Sequence, residues 1–472
     1  MATGQVELKN IGSDRTAHVL TEVESGACFE PDVSDEVKKG FTVQDQRDMH
    51  RMGKKQELRF SHQWVSEFAP RKYQKYLSYT SGWLATISWQ SIVTTDSYLA
   101  GTIVQGLIVL NNDSYVPLRW HGTLLVIAAV ICMTLFNIFG AKRLPLAEGI
   151  FVTCHFFAFA PVVITLLVLS PKASARDVFT GFVDYGAGWP SIPWTVMVGQ
   201  VSSMFIVLGS DSVAHMSEEI EDAGVIVPKS MVSAFLVNIP FAFGMVLAYL
   251  FSMPDVQDAI DSPTGLPFIY VFKEAVENQA GATILVVVIL ILIITITISC
   301  LASASRQTFA FARDNGLPFS AWLATIHPTL HIPVNAIIFT CFFSIAISLI
   351  IIGSTVAFNA LMSLCTTALM ATYVISIGCI IVRRICMDPP PPPCRWSLGR
   401  FGMPINILAL VYSLWSFFWS FWPNSHDVTA ENFNWSSVMF FGLMGISTAM
   451  YWVHARKVYD GPVAIVEGRK FQ

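Results

Sequence analysis

The sequence predicts an all-α polytopic membrane protein with about ten transmembrane helices, and three observations predict it. Hydrophobic residues make up 53% of the 472 and charged residues only 13%, with a mean hydropathy of +0.55; a typical soluble domain carries about 25% charge. Apolar stretches of about twenty residues, long enough to cross a bilayer, recur from Ser78 to Arg456. Lysine and arginine crowd into alternate loops, which is how charge sets membrane topology.

The stretches fall at 78–110, 118–140, 145–170, 193–216, 229–252, 282–312, 333–353, 355–383, 403–422 and 434–455. Gly353, Ser354 and Thr355 are the turn signal that divides the tract 333–383. The transmembrane core is therefore placed at 78–457. Residues 1–59 are polar with mixed charge and lack the apolar core of a cleaved signal peptide, so they read as a disordered tail. Residues 60–77 read as an amphipathic segment, and 458–472 as a second tail.

Arg71, Lys72, Lys75, Lys142, Arg143, Lys229, Arg313, Arg383, Arg384, Arg395, Arg400, Arg456 and Lys457 fall on one side, which is expected to be cytoplasmic with both termini. The opposite loops hold Arg119, Lys172, Arg176 and Lys273, together with Asn-x-Ser sequences at Asn112 and Asn434. Pro389 to Pro393 form a stiff spacer on the cytoplasmic side. With 29 basic and 33 acidic residues, no basic surface points to nucleic acid. The nine cysteines show no CxxC pair or metal spacing, and Cys132, Cys154, Cys300, Cys341, Cys365 and Cys379 read as small buried hydrophobes. The pattern calls for no metal and no cofactor, and the partners it implies are the lipid bilayer and a small molecule. No nucleophile sits beside a base, so an enzyme is not expected.

The fourth stretch is interrupted by Leu208, Gly209, Ser210, Asp211 and Ser212. Backbone groups freed in hydrocarbon must find partners, so such a break is tolerated beside a cavity, where half-helix ends can hold substrate. A packing kink with Ser210 and Ser212 bonding back to the preceding turn is the alternative. Asp96 is a second acid inside a span, following a polar stripe of Thr86, Gln90 and Thr94, with Ser97 nearby. With Trp83 seven residues before Gln90, the stripe could receive an amine, or serve ordinary interhelical bonding. Thr295, Ser299 and Ser303 lead to Arg306 along one face of the sixth span, as a substrate contact or a packing seam. His215 lies one turn beyond Asp211 and is a proton-relay candidate, whereas His155 is expected to bond backbone within its span. Glu218 and Glu219 leave the membrane on the same side as Arg306 and Arg313, and the four are a candidate gate.

The stretches "GSDSVAHMSEEIEDAGVIVPKSM" and "ASASRQTFAFARDNGLPFS" resemble the fungal amino-acid/choline permeases (GABA permease-like) of the amino acid–polyamine–organocation transporters. The likeness runs from about Trp64 to about Lys457, with His-x-x-Glu-Glu followed downstream by Phe-Ala-Arg-Asp. The resemblance implies two five-helix repeats of inverted topology, substrate held at breaks in the first helix of each repeat, and proton symport of an amino acid, GABA or choline across the plasma membrane. Residues Leu208 to Ser212 match the break of the second repeat, and Glu218 and Glu219 match its acidic exit. One departure stands out. The family's entry phrase, "GKKQELR", runs directly into "FSHQWVSEFAP", with no apolar stretch between Lys55 and Lys75. The first two helices are thus expected to be missing at a seam near Arg59 and Phe60, and a non-transporting variant stays open beside an active permease.

Overall fold

The computed structural model describes residues 61–184, 186–217, 220, 222–253, 255–351, 356–386, 395–429, 432–459 and 461. Among these the secondary structure is helical, with no strand. In chain order the helices are α1 (Ser61–Phe68), α2 (Arg71–Asn111), α3 (Arg119–Phe139), α4 (Leu144–Leu169), α5 (Ala175–Thr180), α6 (Ile192–Phe205), α7 (Ser212–His215), α8 (Ala223–Phe251) and α9 (Val256–Ile260). They continue with α10 (Pro267–Val276), α11 (Gln279–Arg313), α12 (Ser320–Leu323), α13 (Val334–Ile351), α14 (Val356–Cys386), α15 (Gly402–Trp419), α16 (Ser436–Met450) and α17 (Arg456–Val458). A π-helical turn over Tyr451–Ala455 joins the last two.

Eight of the described helical runs are long and apolar enough to cross a membrane, and Val334–Ile350 is a shorter apolar helix. The fourth predicted stretch, 193–216, is not one helix but α6 and α7 with a non-helical gap between them. The predicted division at Gly353, Ser354 and Thr355 lies outside the described residues, as do residues 1–60. The chain is an all-α polytopic membrane protein. Its first long helix starts at Arg71 rather than Ser78, because the polar turn that precedes the apolar stretch continues the same helix after Pro70. Hydropathy reports only the part of a helix that lies in lipid.

α2 is the axis of the bundle. It packs along α11 and α14, and also meets α1, α3 and α13. Trp89, Ile92 and Val93 of α2 join Leu301, Ala302 and Ala304 of α11 in one buried cluster with Ile337 and Cys365. Close approach of α3 is possible at Gly101, where a Cβ would lie 2.8 Å from the Val126 backbone nitrogen. α4 and α8 lie at the periphery: only 11% and 6% of their most apolar windows are buried. Helices apolar on all sides with so little protein cover present their surface to lipid. Cys132 and Cys154 share that exposure, against the expectation of burial, whereas Cys365 and Cys379 are buried. His155 likewise lies on the exposed face of α4 rather than in the bundle.

The segment before α2 is held by packing. Val65 is fully buried and, with Ala69, it packs on Cys379 and Ile375 of α14. α11 begins at an Asn278 cap whose side chain accepts from Ala280 N, and ends where Asn315 takes a left-handed conformation and Gly316 N donates back to Phe311 O.

Candidate functional site

α6 stops at Phe205 because the chain turns out of helical register. Val207 N reaches Met204 O and Leu208 N reaches Phe205 O, and then Gly209 adopts φ +90°. That conformation is open to glycine and strained for an L side chain. Ser212 N donates to Gly209 O at 2.9 Å, and the short α7 restarts the helix. The non-helical residues thus include Leu208 through Asp211, and Ser212 opens α7.

The break is pinned from two sides. On α14, the Tyr373 hydroxyl donates to Asp211 Oδ1 at 3.1 Å. On α2, the edge of Trp89 meets the His215 ring at a centroid distance of 5.0 Å, and a Cβ at Gly209 would lie 3.8 Å from Trp89 Cη2. His215 Nε2 lies 3.5 Å from Asp211 Oδ2, one helical turn away, with both side chains buried. α7 also touches α11. Asp211 and His215 are 3% and 0% exposed, so an ionisable pair sits inside the protein at a helix break.

The other sequence candidates fall into different groups. Gln90 is on the wrong side of α2 to meet the break: its amide nitrogen donates to Thr308 of α11 and Thr340 of α13, both at 2.9 Å. Thr94 follows it, bonding Gln90 O and Ser344. The polar stripe therefore ties three helices together, and its neighbour Trp89 faces the break. Trp83 packs with Tyr79 and with the cluster around Leu364 and Phe440. Thr295 bonds back to Leu292 O on its own helix.

Asp96 and Ser299 belong to a second polar group. Asp96 is 8% exposed and its carboxyl interacts with the Cys300 thiol. Ser299 donates to Glu148 Oε1 of α4 at 2.6 Å. Arg306 donates to Ala302 O and acts electrostatically on Glu148. Arg313 lies over the Phe309 ring at 5.9 Å. Glu218 and Glu219 lie outside the described residues, so the acidic half of the expected gate has no described partner geometry. Sequence reading passed over Trp89, Tyr373 and Glu148; only Glu148, an acid four residues into a predicted span, carried a local signal.

A broken span with a buried acid between scaffold helices suits a small polar solute. Comparison with known proteins gives the class. The model of the amino acid permease family matches residues 63–444. The chain belongs to this family. The permease is 30% identical over 388 residues to a protein of Macrophomina phaseolina described as an amino acid/polyamine transporter, covering 80% of this chain and 83% of that one. It is 27% identical to the choline transporter of Saccharomyces cerevisiae, covering 84% and 69% of the two chains. Amino-acid permease 2 of Neurospora crassa is 26% identical, covering 84% and 72%. The permease is thus a transporter rather than an enzyme. The family match starts at residue 63, just beyond the expected Arg59–Phe60 seam, which is consistent with the expectation that the first two helices are missing.

Proposed function

We propose that this permease is a proton-coupled importer of a small amino acid or amine, such as GABA or a choline-like cation, in the plasma membrane with both termini cytoplasmic. The observation that carries the reading is the interrupted span with Asp211 buried in it, clasped by Tyr373 and His215 beside Trp89. In this reading Leu208, Gly209 and Ser210 offer backbone groups to the solute. Asp211 gives charge to an amine, the Trp89 ring supplies an aromatic wall, and the His215 ring backs the carboxylate from one helical turn away. The solute enters where α6 and α7 separate, and the chain on the charged side stays closed until it is bound. Glu218 and Glu219 with Arg306 and Arg313 are the groups that would close it.

The test is uptake by purified protein in liposomes with an imposed proton gradient, using GABA, choline and neutral amino acids. Saturable, gradient-dependent uptake of one of them is expected. Protein that is intact and inserted but moves none of them would overturn the reading.

A second reading has its own observation: no apolar stretch separates Lys55 from Lys75, where the resemblance puts half of the substrate cradle. In that reading this form inserts without transporting, with an interaction or regulatory role. Polar groups at the break would then lack their helical partner, and each one left unsatisfied in lipid costs several kcal/mol. A version with two family-like helices inserted between Arg59 and Phe60, compared at equal membrane level, separates the two. Activity gained only on insertion supports the second.

A further inference from the structure

Away from Asp211, two carboxyl groups from different helices converge on consecutive residues of α11. Asp96 of α2 is buried and interacts with the Cys300 thiol, and Glu148 of α4 accepts from the Ser299 hydroxyl at 2.6 Å. Burying carboxyl groups within a membrane span is costly, and such groups mark ion or proton pathways.

The face of α11 that carries them continues in one direction as a polar track. With 3.6 residues per turn, Ser303 lies one turn beyond Ser299, and Gln307 one turn beyond Ser303 and two beyond Cys300. Glu148 bonds Ser299 and also feels the charge of Arg306, so it spans the stretch of α11 in which Ser303 lies. Ser303 is 1% exposed and Gln307 0% exposed. The Ser303 hydroxyl and both polar ends of the Gln307 amide lack hydrogen-bond partners among the described residues. Buried polar groups are almost always bonded to protein or to ordered water. Three such atoms in a row, leading from two carboxyls toward the Arg313 end of the helix, are arranged as a water-bearing path would be.

We propose that Asp96 and Glu148 form the permease's proton-binding site, separate from the Asp211 break, and that Ser303 and Gln307 line the route by which that proton exchanges with the Arg313 side. The inference rests on the transport reading for its role in coupling, and not for the existence of the site. Binding is the simple addition of a proton to a carboxylate, and release is its return to water. The groups facing the site are Cys300 and Arg306 on α11 and Cys365 on α14, which interacts electrostatically with Asp96. The neighbouring helices contribute neutral groups: Asn137 of α3, bonded to Ile298 O, and Thr340 and Ser344 of α13. Arg306 holds the Glu148 end while charge on Asp96 comes and goes. The proton would sit on residues other than those of the amine pocket, with Cys365 within electrostatic reach of both Asp96 and Asp211, so coupling would run through the packed helices between them.

Infrared difference spectra of the full-length protein in liposomes, recorded across a pH titration, read carboxyl protonation without any transported solute. A carboxylic C=O band that titrates in the unmodified protein is expected to lose intensity in Asp96→Asn and in Glu148→Gln, and to return in Asp96→Glu. Gln307→Leu should keep the band but slow its shift in heavy water. If the Asn or Gln variant fails to fold, Ser299→Ala removes only the donor to Glu148 and must still shift the band. A titrating band unchanged in all these variants would overturn the proposal. Solute counterflow in the same vesicles judges the transport reading independently. A band that moves as expected without counterflow keeps the proton site and removes the transport reading.

Discussion

Tyr373 of α14 reaches across the bundle to Asp211, its hydroxyl 3.1 Å from Oδ1, and so fastens the broken span to a helix 162 residues further along the chain. A hydrogen bond to a charged group is worth about 1.5–3 kcal/mol, and the buried acid would pay for its loss. Tyr373→Phe should therefore raise the KM for solute about tenfold or more, with Asp211→Asn at least as severe for an amine substrate. Fold is expected to survive in Tyr373→Phe, since the ring remains. Uptake kinetics at equal membrane level check this, and an unchanged KM in both variants would remove Asp211 from the site.

Gly209 holds the break open by its backbone alone. At φ +90° any L side chain is strained, at a cost of about 1–3 kcal/mol. Space is not the obstacle, because the nearest atom to a new Cβ is Trp89 Cη2 at 3.8 Å. Gly209→Ala should therefore lower thermal stability in detergent by a few degrees and impair uptake, whereas Gly199→Ala in the regular part of α6 should do neither. Equal melting temperatures for all three proteins would show that the break is soft and sets no geometry.

The two results depend on residues of very different legibility. The spans were readable because about twenty apolar residues are a local signal and hydrocarbon permits few alternatives. The break was readable for the same reason: Gly209, Ser210 and Asp211 violate the pattern around them. What closes on the break was not readable. Tyr373 is 162 positions from Asp211 and Glu148 is 151 from Ser299, and no periodicity within one helix reports such pairs. Trp89 and Gln90 show the limit within one helix. Period alone marked Gln90 as inward-facing, and it is, but α2 is enclosed by several helices, so inward has more than one direction. Gln90 turns to α11 and α13 while Trp89 turns to α7.

Asp222 and Arg395 form a latch on the charged side of the protein. Both guanidinium nitrogens meet the carboxylate, Nη2 donating to Oδ2 at 3.1 Å, with each side chain about 30% exposed. Asp222 precedes α8 in a left-handed conformation, and Arg395 follows the proline run, so the pair joins two connecting segments. A partly exposed pair contributes at most about 1 kcal/mol, or roughly fivefold in an equilibrium. Arg395→Glu should speed opening on this side by about that factor, and Asp222→Arg combined with Arg395→Glu should restore it. Labelling of a cysteine introduced on the solvent path reports the opening. A double variant no better than the single one would show that the pair is incidental.

Tyr459 makes the start of the C-terminal segment part of the bundle. It follows α17, yet it is 0% exposed, its hydroxyl 2.8 Å from Ser78 Oγ at the foot of α2. Its ring packs edge-on to Tyr79 at 5.3 Å and to Phe311 of α11 at 6.0 Å. Deleting such a ring leaves a cavity between the two helices that form the axis of the protein, so Tyr459→Ala should cost about 3–5 kcal/mol, the range for a buried aromatic. Tyr459→Phe keeps the ring and loses one hydrogen bond, about 1 kcal/mol. pH separates the hydroxyl from the ring. Burial, and after it the negative charge of Asp314, hold the Tyr459 phenol well above its ordinary value. The native state thus binds the phenolic proton more tightly than the unfolded chain. Its stabilisation is complete below the unfolded pKa of about 10 and falls as pH rises from there through the folded value. The unmodified protein should therefore lose more thermal stability than Tyr459→Phe as pH is raised past about 10, the two converging at neutral pH to within the hydrogen-bond difference. Parallel alkaline losses in the two proteins would mean that this phenol is not held neutral by the fold, and that the contact with Ser78 is a surface association of the tail.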